Sequence, residues 1–134
     1  MILVDTGPLV ALTDKNDQYH RLCSECAHTL REPRATVWPV LTEVMYFTDD
    51  IPHAQEAIWD MIMRGALEIL PLEASDVPSI RQLMHTYRDL PMDLADAALI
   101  RVAEREGTRR FFTVDRKDFS VYRLNGRARP VILP

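Results

Sequence analysis

The feature that most narrows the folds open to this chain is a regular alternation of short apolar runs with longer stretches of helical period. Ile2 to Asp5, Ala35 to Trp38, Leu67 to Leu70 and Phe111 to Val114 read as buried strands, and Val131-Ile132-Leu133 reads as a last, edge strand. Between them, helices are expected over Gly7 to Thr13, Gln18 to about Arg31, Pro39 to about Phe47, Pro52 to Gly65, Ser75 to about Tyr87, and Asp93 to Glu106. The second helix carries an apolar stripe of Tyr19, Leu22, Cys23, Cys26, Ala27 and Leu30 at three- and four-residue spacing. Pro39 suits a first helical turn, and Gly65 and Gly107 suit the positions just past a helix end. Strands separated by helices require crossover connections. The expected fold is therefore α/β: a three-layer α/β/α sandwich with a mostly parallel central sheet, formed by residues 1–134 as a single domain.

Two of the strand ends are punctuated by an acid. Asp5 ends the first apolar run and is followed at once by Thr6-Gly7-Pro8, and Asp115 ends Phe111-Phe112-Thr113-Val114 in the same way. In open α/β sheets, ligands bind beyond the carboxyl ends of the strands. Two helices add acids on their inward stripes. Glu43 lies among Val40, Val44 and Phe47, and Asp96 lies with Ile100 and Ala103, next to Leu99. Asp93 lies one turn before Asp96. Helix capping alone accounts for an acid at either of these two positions, and a polar turn Asp115-Arg116-Lys117-Asp118 accounts for Asp115. Thr6 and Thr113 place hydroxyls at the same edge.

Four carboxylates from four elements would repel at one sheet edge. Two such charges about 4 Å apart cost on the order of 4 kcal/mol at an effective dielectric near 20. Protons or a divalent cation must offset this, and an all-oxygen donor set favours the hard ions Mg²⁺ and Mn²⁺. Such ions support attack of water on a phosphodiester. No nucleotide-binding glycine motif and no nucleophilic-serine motif is present. His20, His28, His53 and His85 form no metal-ligand pattern and read as surface or hydrogen-bonded polar residues, and Trp38 and Trp59 read as packing residues.

The charge distribution is compatible with a polyanionic partner. The net charge is −4, but residues 1–100 hold 7 Lys+Arg against 16 Asp+Glu, whereas residues 101–134 hold 9 against 4. A basic C-terminal segment thus lies beside an acidic remainder, a balance that a solvated surface of mixed sign also produces. No apolar stretch approaches the roughly 20 residues of a membrane span, and Asp5 interrupts the N-terminus before the apolar region of a secretory leader. A cytoplasmic protein with no membrane association is expected, with Cys23 and Cys26 as reduced thiols, since no second pair of ligands completes a zinc site.

The residues now carry a family resemblance. Ile2-Leu3-Val4-Asp5-Thr6-Gly7-Pro8-Leu9, Thr42-Glu43-Val44, Met92-Asp93-Leu94-Ala95-Asp96-Ala97-Ala98-Leu99 and Thr113-Val114-Asp115-Arg116-Lys117-Asp118-Phe119 occur in this order over nearly the whole chain. Together they resemble PIN-domain ribonucleases, specifically the VapC-like toxins of type II toxin–antitoxin pairs. The resemblance implies an α/β/α sandwich, Mg²⁺- or Mn²⁺-dependent cleavage of RNA, a cognate antitoxin covering the acidic site, and a homodimer. It implies Asp5, Glu43 and Asp96 as metal ligands and catalytic acids, Asp115 as the fourth acid, and Thr6, Thr113 and Asp93 in support. Three alternatives stand beside it. A PIN-like metal-binding module would use the same acids without catalysis, and a housekeeping nuclease would have no antitoxin. A phosphatase with Asp5 as nucleophile wants a second Asp where this chain has Gly7.

Overall fold

In the computed structural model, which describes residues 1–134, the chain alternates strand and helix from end to end. The elements in order are β1 (Ile2–Val4), α1 (Thr6–Thr13), α2 (His20–Thr29), β2 (Arg34–Thr36), α3 (Trp38–Phe47), α4 (Pro52–Met63), β3 (Glu68–Ile69), α5 (Val77–Thr86), α6 (Leu94–Glu106), β4 (Arg110–Phe112), α7 (Arg116–Val121) and β5 (Val131–Leu133). All five strands pair in parallel in the order β3-β2-β1-β4-β5, with Leu3 opposite Ala35 on one side and Phe111 on the other. The chain steps one way from β1 to β3, then crosses to β4 and continues the other way. Right-handed crossovers then put α1–α4 on one face and α5–α7 on the other, which is the expected three-layer sandwich.

The reversal has a functional consequence. It creates a switch point between β1 and β4, where connections leave in opposite directions and a crevice opens at the carboxyl edge. Asp5 follows β1 directly and Asp115 lies just beyond β4. The Asp5 N–H still donates to the Phe112 carbonyl at 2.9 Å, so the ladder extends to the edge of that crevice.

A core of 27 buried apolar residues fills both sides of the sheet. Ile2, Leu3, Val4, Phe111 and Phe112 are buried because central parallel strands have helices on both faces. On α6, every residue from Ala95 to Ile100 is buried, together with Val102 and Ala103, so this helix runs through the interior rather than over the surface. Asp93 caps its start and Gly107, at φ 73°, ends it in the left-handed conformation that Gly tolerates best.

Several local expectations change. β2 begins one residue earlier than its apolar composition suggests and stops at Thr36, because Trp38 already opens α3. Residues 115–118 are not only a turn: Asp115 caps a helix, α7, whose Phe119 is buried. Phe47 ends α3 at 58% exposure and Trp38 stands at 54%, so neither is the packing residue that its type suggests. Trp59 on α4 and Tyr19 and Leu22 at the start of α2 are also exposed. In each case the helix has only a narrow buried stripe, and these side chains fall beside it. Cys23 is buried and Cys26 partly so, both as free thiols, and burial pushes each thiol's pKa up. His20 and His28 meet backbone carbonyls at 2.7 Å, whereas His53 and His85 are exposed. No helix is long and apolar enough to cross a membrane.

Candidate active site

A cleft of about 600 Å³ opens at the switch point. Asp5, Glu43, Asp96 and Asp115 all line it, as do Asp93 and Thr6. The four acids come from the end of β1, the middle of α3, the first turn of α6 and the residue capping α7. The buried stripe of α3 turns Glu43 toward the cleft, with Val40 and Val44 fully buried on either side. Asp96 takes its place from the Asp93 cap, whose Oδ1 accepts the Asp96 N–H at 2.9 Å.

The hydroxyls flagged by the sequence are engaged. Thr6 Oγ1 donates to Glu43 Oε1 at 2.6 Å, and Thr113 Oγ1 donates to Asp5 Oδ2 at 2.8 Å. Thr113 Oγ1 also accepts the Asp115 N–H at 3.1 Å, joining the two strand-end acids through one side chain. Thr113 is fully buried, so it supports from beneath the cleft and does not line it.

Two residues that sequence reasoning missed belong to the same place. Asp118 lines the cleft, and single carboxylate oxygens of Asp96, Asp115 and Asp118 lie within 4.8 Å of one another. Its spacing of three from Asp115 was the available signal, once residues 115–121 are recognised as a helix. Tyr122 is wholly buried, and its hydroxyl donates to Asp96 Oδ2 at 2.7 Å. No sequence pattern points to that pair, which is 26 positions apart.

Electrostatics show what the site lacks. Burial, opposed in part by hydrogen bonds from Thr113 and Thr6, lifts Asp5 to about 6, and the nearby Glu43 and Asp93 add to the rise. Burial and then the Asp5 charge push Asp96 to about 8, against the lowering effect of Tyr122. Glu43 and Asp118 are raised as well, burial being the largest cause in both. None of the residues lining the cleft is Lys, Arg or His. Of the basic C-terminal segment, Arg116 and Lys117 follow Asp115 directly and are exposed, whereas Arg101 and Arg105 pair with Asp76. Such a group of oxygens, short of positive charge and free of nitrogen and sulfur donors, fits a hard divalent cation.

An all-parallel α/β sheet with a carboxylate cleft at its switch point defines a class of proteins suited to cation-assisted chemistry on phosphate esters. Residues 2–124 match the PIN domain family, and the chain belongs to it. It is 28% identical to Ribonuclease VapC26 of Mycobacterium tuberculosis, over 99% of this chain and all of that protein. Among solved structures, it is similar to the sarcin-ricin loop cleaving toxin VapC20 of Mycobacterium tuberculosis. There the TM-score is 0.79 at 17% identity, over 87% of this chain and 92% of that one. It also resembles a chain of a toxin–antitoxin complex from Klebsiella pneumoniae, at TM-score 0.69 and 18% identity, over 90% and 92% of the two chains.

Proposed function

We propose that this protein is a metal-dependent endoribonuclease and the toxin component of a toxin–antitoxin pair, with the whole of residues 1–134 acting as one nuclease domain. The observation that carries the proposal is the convergence of Asp5, Glu43, Asp96 and Asp115 in one cleft that contains no cationic side chain. Membership of the PIN family and the likeness to a ribonuclease over the full chain support it.

In this reading, Asp5, Glu43, Asp96 and Asp115 hold Mg²⁺ or Mn²⁺, and Asp118 adds a fifth carboxylate on the α7 side. A bound divalent ion draws charge from the phosphoryl oxygens and makes water easier to deprotonate. Thr6 and Thr113 each fix one oxygen of a ligand acid and so orient the other. Asp93 sets the start of α6 and contributes to the field that raises Glu43, a positioning role rather than one at the reacting atoms. The exposed Arg116 and Lys117 attract the phosphate backbone from the rim, where their charge does not cancel the acids that hold the cation. The similarity to a chain of a toxin–antitoxin complex supports a cognate antitoxin as partner, and the expected assembly is a homodimer in the cytoplasm.

The test is cleavage of a mixed RNA pool by wild-type protein and Asp5→Asn, with Mg²⁺ and with excess EDTA. Cleavage by wild type alone, abolished by EDTA, is expected. Equal cleavage by both proteins, or cleavage that persists in EDTA, would remove the proposal. Metal-dependent melting with no cleavage of any RNA would favour the non-catalytic binding module instead.

A further inference from the structure

The four acids share a pattern that goes beyond their convergence. Each has one oxygen held by a donor from the protein. Glu43 Oε1 is held by Thr6, Asp5 Oδ2 by Thr113, Asp115 Oδ1 by the Asp118 N–H at 3.0 Å, and Asp96 Oδ2 by Tyr122. Three of these donors lie next to the family-like motifs or within them. Tyr122 does not.

The Tyr122 ring is the immobile partner in its bond to Asp96. It is fully buried, with Tyr87 edge-on at 5.1 Å and Phe119 edge-on at 5.2 Å, and Phe119 rests in turn on Phe111 of β4 at 5.3 Å. The Tyr87 hydroxyl accepts the Arg123 N–H at 2.9 Å, which pins the backbone directly after Tyr122. A stack of four aromatic rings thus runs from the sheet to one hydroxyl, and that hydroxyl ends on one oxygen of Asp96. Asp96 has the freedom that this stack removes, because rotation about the terminal carboxylate bond is soft.

We propose that Tyr122 is a positioning residue that sets the coordination of Asp96: its hydroxyl occupies Oδ2 and directs a bound cation to the Oδ1 side. The proposal rests on the reading of Asp96 as a metal ligand. Without this bond the carboxylate is free to turn and to offer both oxygens, and the coordination set by the other acids is lost. Hydrogen-bonding partners of metal ligands typically change metal affinity or activity by about 10- to 100-fold when removed.

The test is Tyr122→Phe, which keeps the ring and its packing. Mn²⁺ binding to the metal-free protein is measured by calorimetry without RNA, alongside kcat and KM for cleavage. The dissociation constant for Mn²⁺ should rise by about 10-fold or more, and kcat should fall while KM for RNA stays within about twofold. The core variant Ile58→Val, in α4 and away from the cleft, controls for general loss of stability and should bind Mn²⁺ as wild type does. Unchanged or tighter Mn²⁺ binding by Tyr122→Phe, or an equal loss in Ile58→Val, would overturn the proposal. If Tyr122→Phe does not fold, Tyr87→Phe frees the backbone at Arg123 and should show the same weakening to a smaller degree; no weakening overturns it. Asp96→Asn separates the two levels of inference. If it binds Mn²⁺ normally, the metal reading of Asp96 has failed. If it loses binding while Tyr122→Phe retains it, only the role of Tyr122 has failed.

Discussion

Replacing Asp96 with Asn should stabilise the metal-free protein while removing its response to metal. Asp96 is 9% exposed, and burial and the Asp5 charge raise it to about 8. In the unfolded chain it titrates near 3.8. At pH 7 the unfolded form is therefore ionised and the folded form holds a proton. That difference of roughly three pH units between 3.8 and 7 costs about 4 kcal/mol of stability, at 1.36 kcal/mol per unit. Asn is neutral in both states and avoids the cost. It keeps an oxygen for the Tyr122 hydroxyl, and because the folded acid is itself neutral at pH 7, that bond changes little. The net gain is about 4 kcal/mol, which for a chain of this length corresponds to a rise in melting temperature of about 12 °C. The sign also fixes the pH dependence. Because the folded state binds the extra proton, wild-type stability in EDTA falls as pH rises from about 4 and levels off above about 8. Asp5, raised to about 6, contributes over the lower part of that window. Thermal melts followed by circular dichroism at pH 5, 7 and 8.5, in EDTA and in 10 mM Mg²⁺, measure all of this. Wild type should gain stability from Mg²⁺ by mass action, and Asp96→Asn should not. A lower melting temperature for Asp96→Asn than for wild type in EDTA at pH 7, or wild-type stability that rises between pH 5 and 8, would refute the reasoning.

Three further outcomes are expected. A Cβ at Gly7 would lie 2.6 Å from Val114 Cγ2, on a branched side chain that cannot swing away cheaply, so Gly7→Ala should cost about 1–3 kcal/mol in urea unfolding and Val114→Ala should restore most of it. Asp76 is buried and accepts from Arg101 Nε at 2.8 Å and Arg105 at 2.6 Å. Asp76→Asn should therefore cost about 3 kcal/mol in the same assay, with cleavage per folded molecule unchanged because the pair lies away from the cleft. If the acids act through one shared cation, Asp5→Asn, Asp96→Asn and the double variant should lose cleavage activity to about the same extent, a lack of additivity read from single-turnover rates.

Local sequence determined the layer order of this protein and most of its site. Continuous apolar runs and period-3.6 patterns report burial directly, so β1, β4 and the inward stripes of α3 and α6 are visible in Ile2 to Val4, Phe111-Phe112, Val40 with Val44, and Ile100 with Ala103. The acids that interrupt those patterns, Asp5, Glu43, Asp96 and Asp115, are visible for the same reason. A buried charge breaks an apolar pattern and so marks itself. What the sequence misjudged has a common cause. Phe47, Trp38 and Trp59 match an apolar period but project beside narrow buried stripes, and only the packing of neighbouring helices sets how wide a stripe is. Residues 115–121 look polar because α7 buries little more than Phe119. The strand order was also out of reach, since the reversal between β1 and β4 joins segments more than 100 positions apart. Tertiary structure alone decided that this reversal brings the acids into one cleft with no cationic side chain in its lining, and that Tyr122 reaches Asp96. Both depend on distances between remote segments, and a period in the sequence carries no information about those.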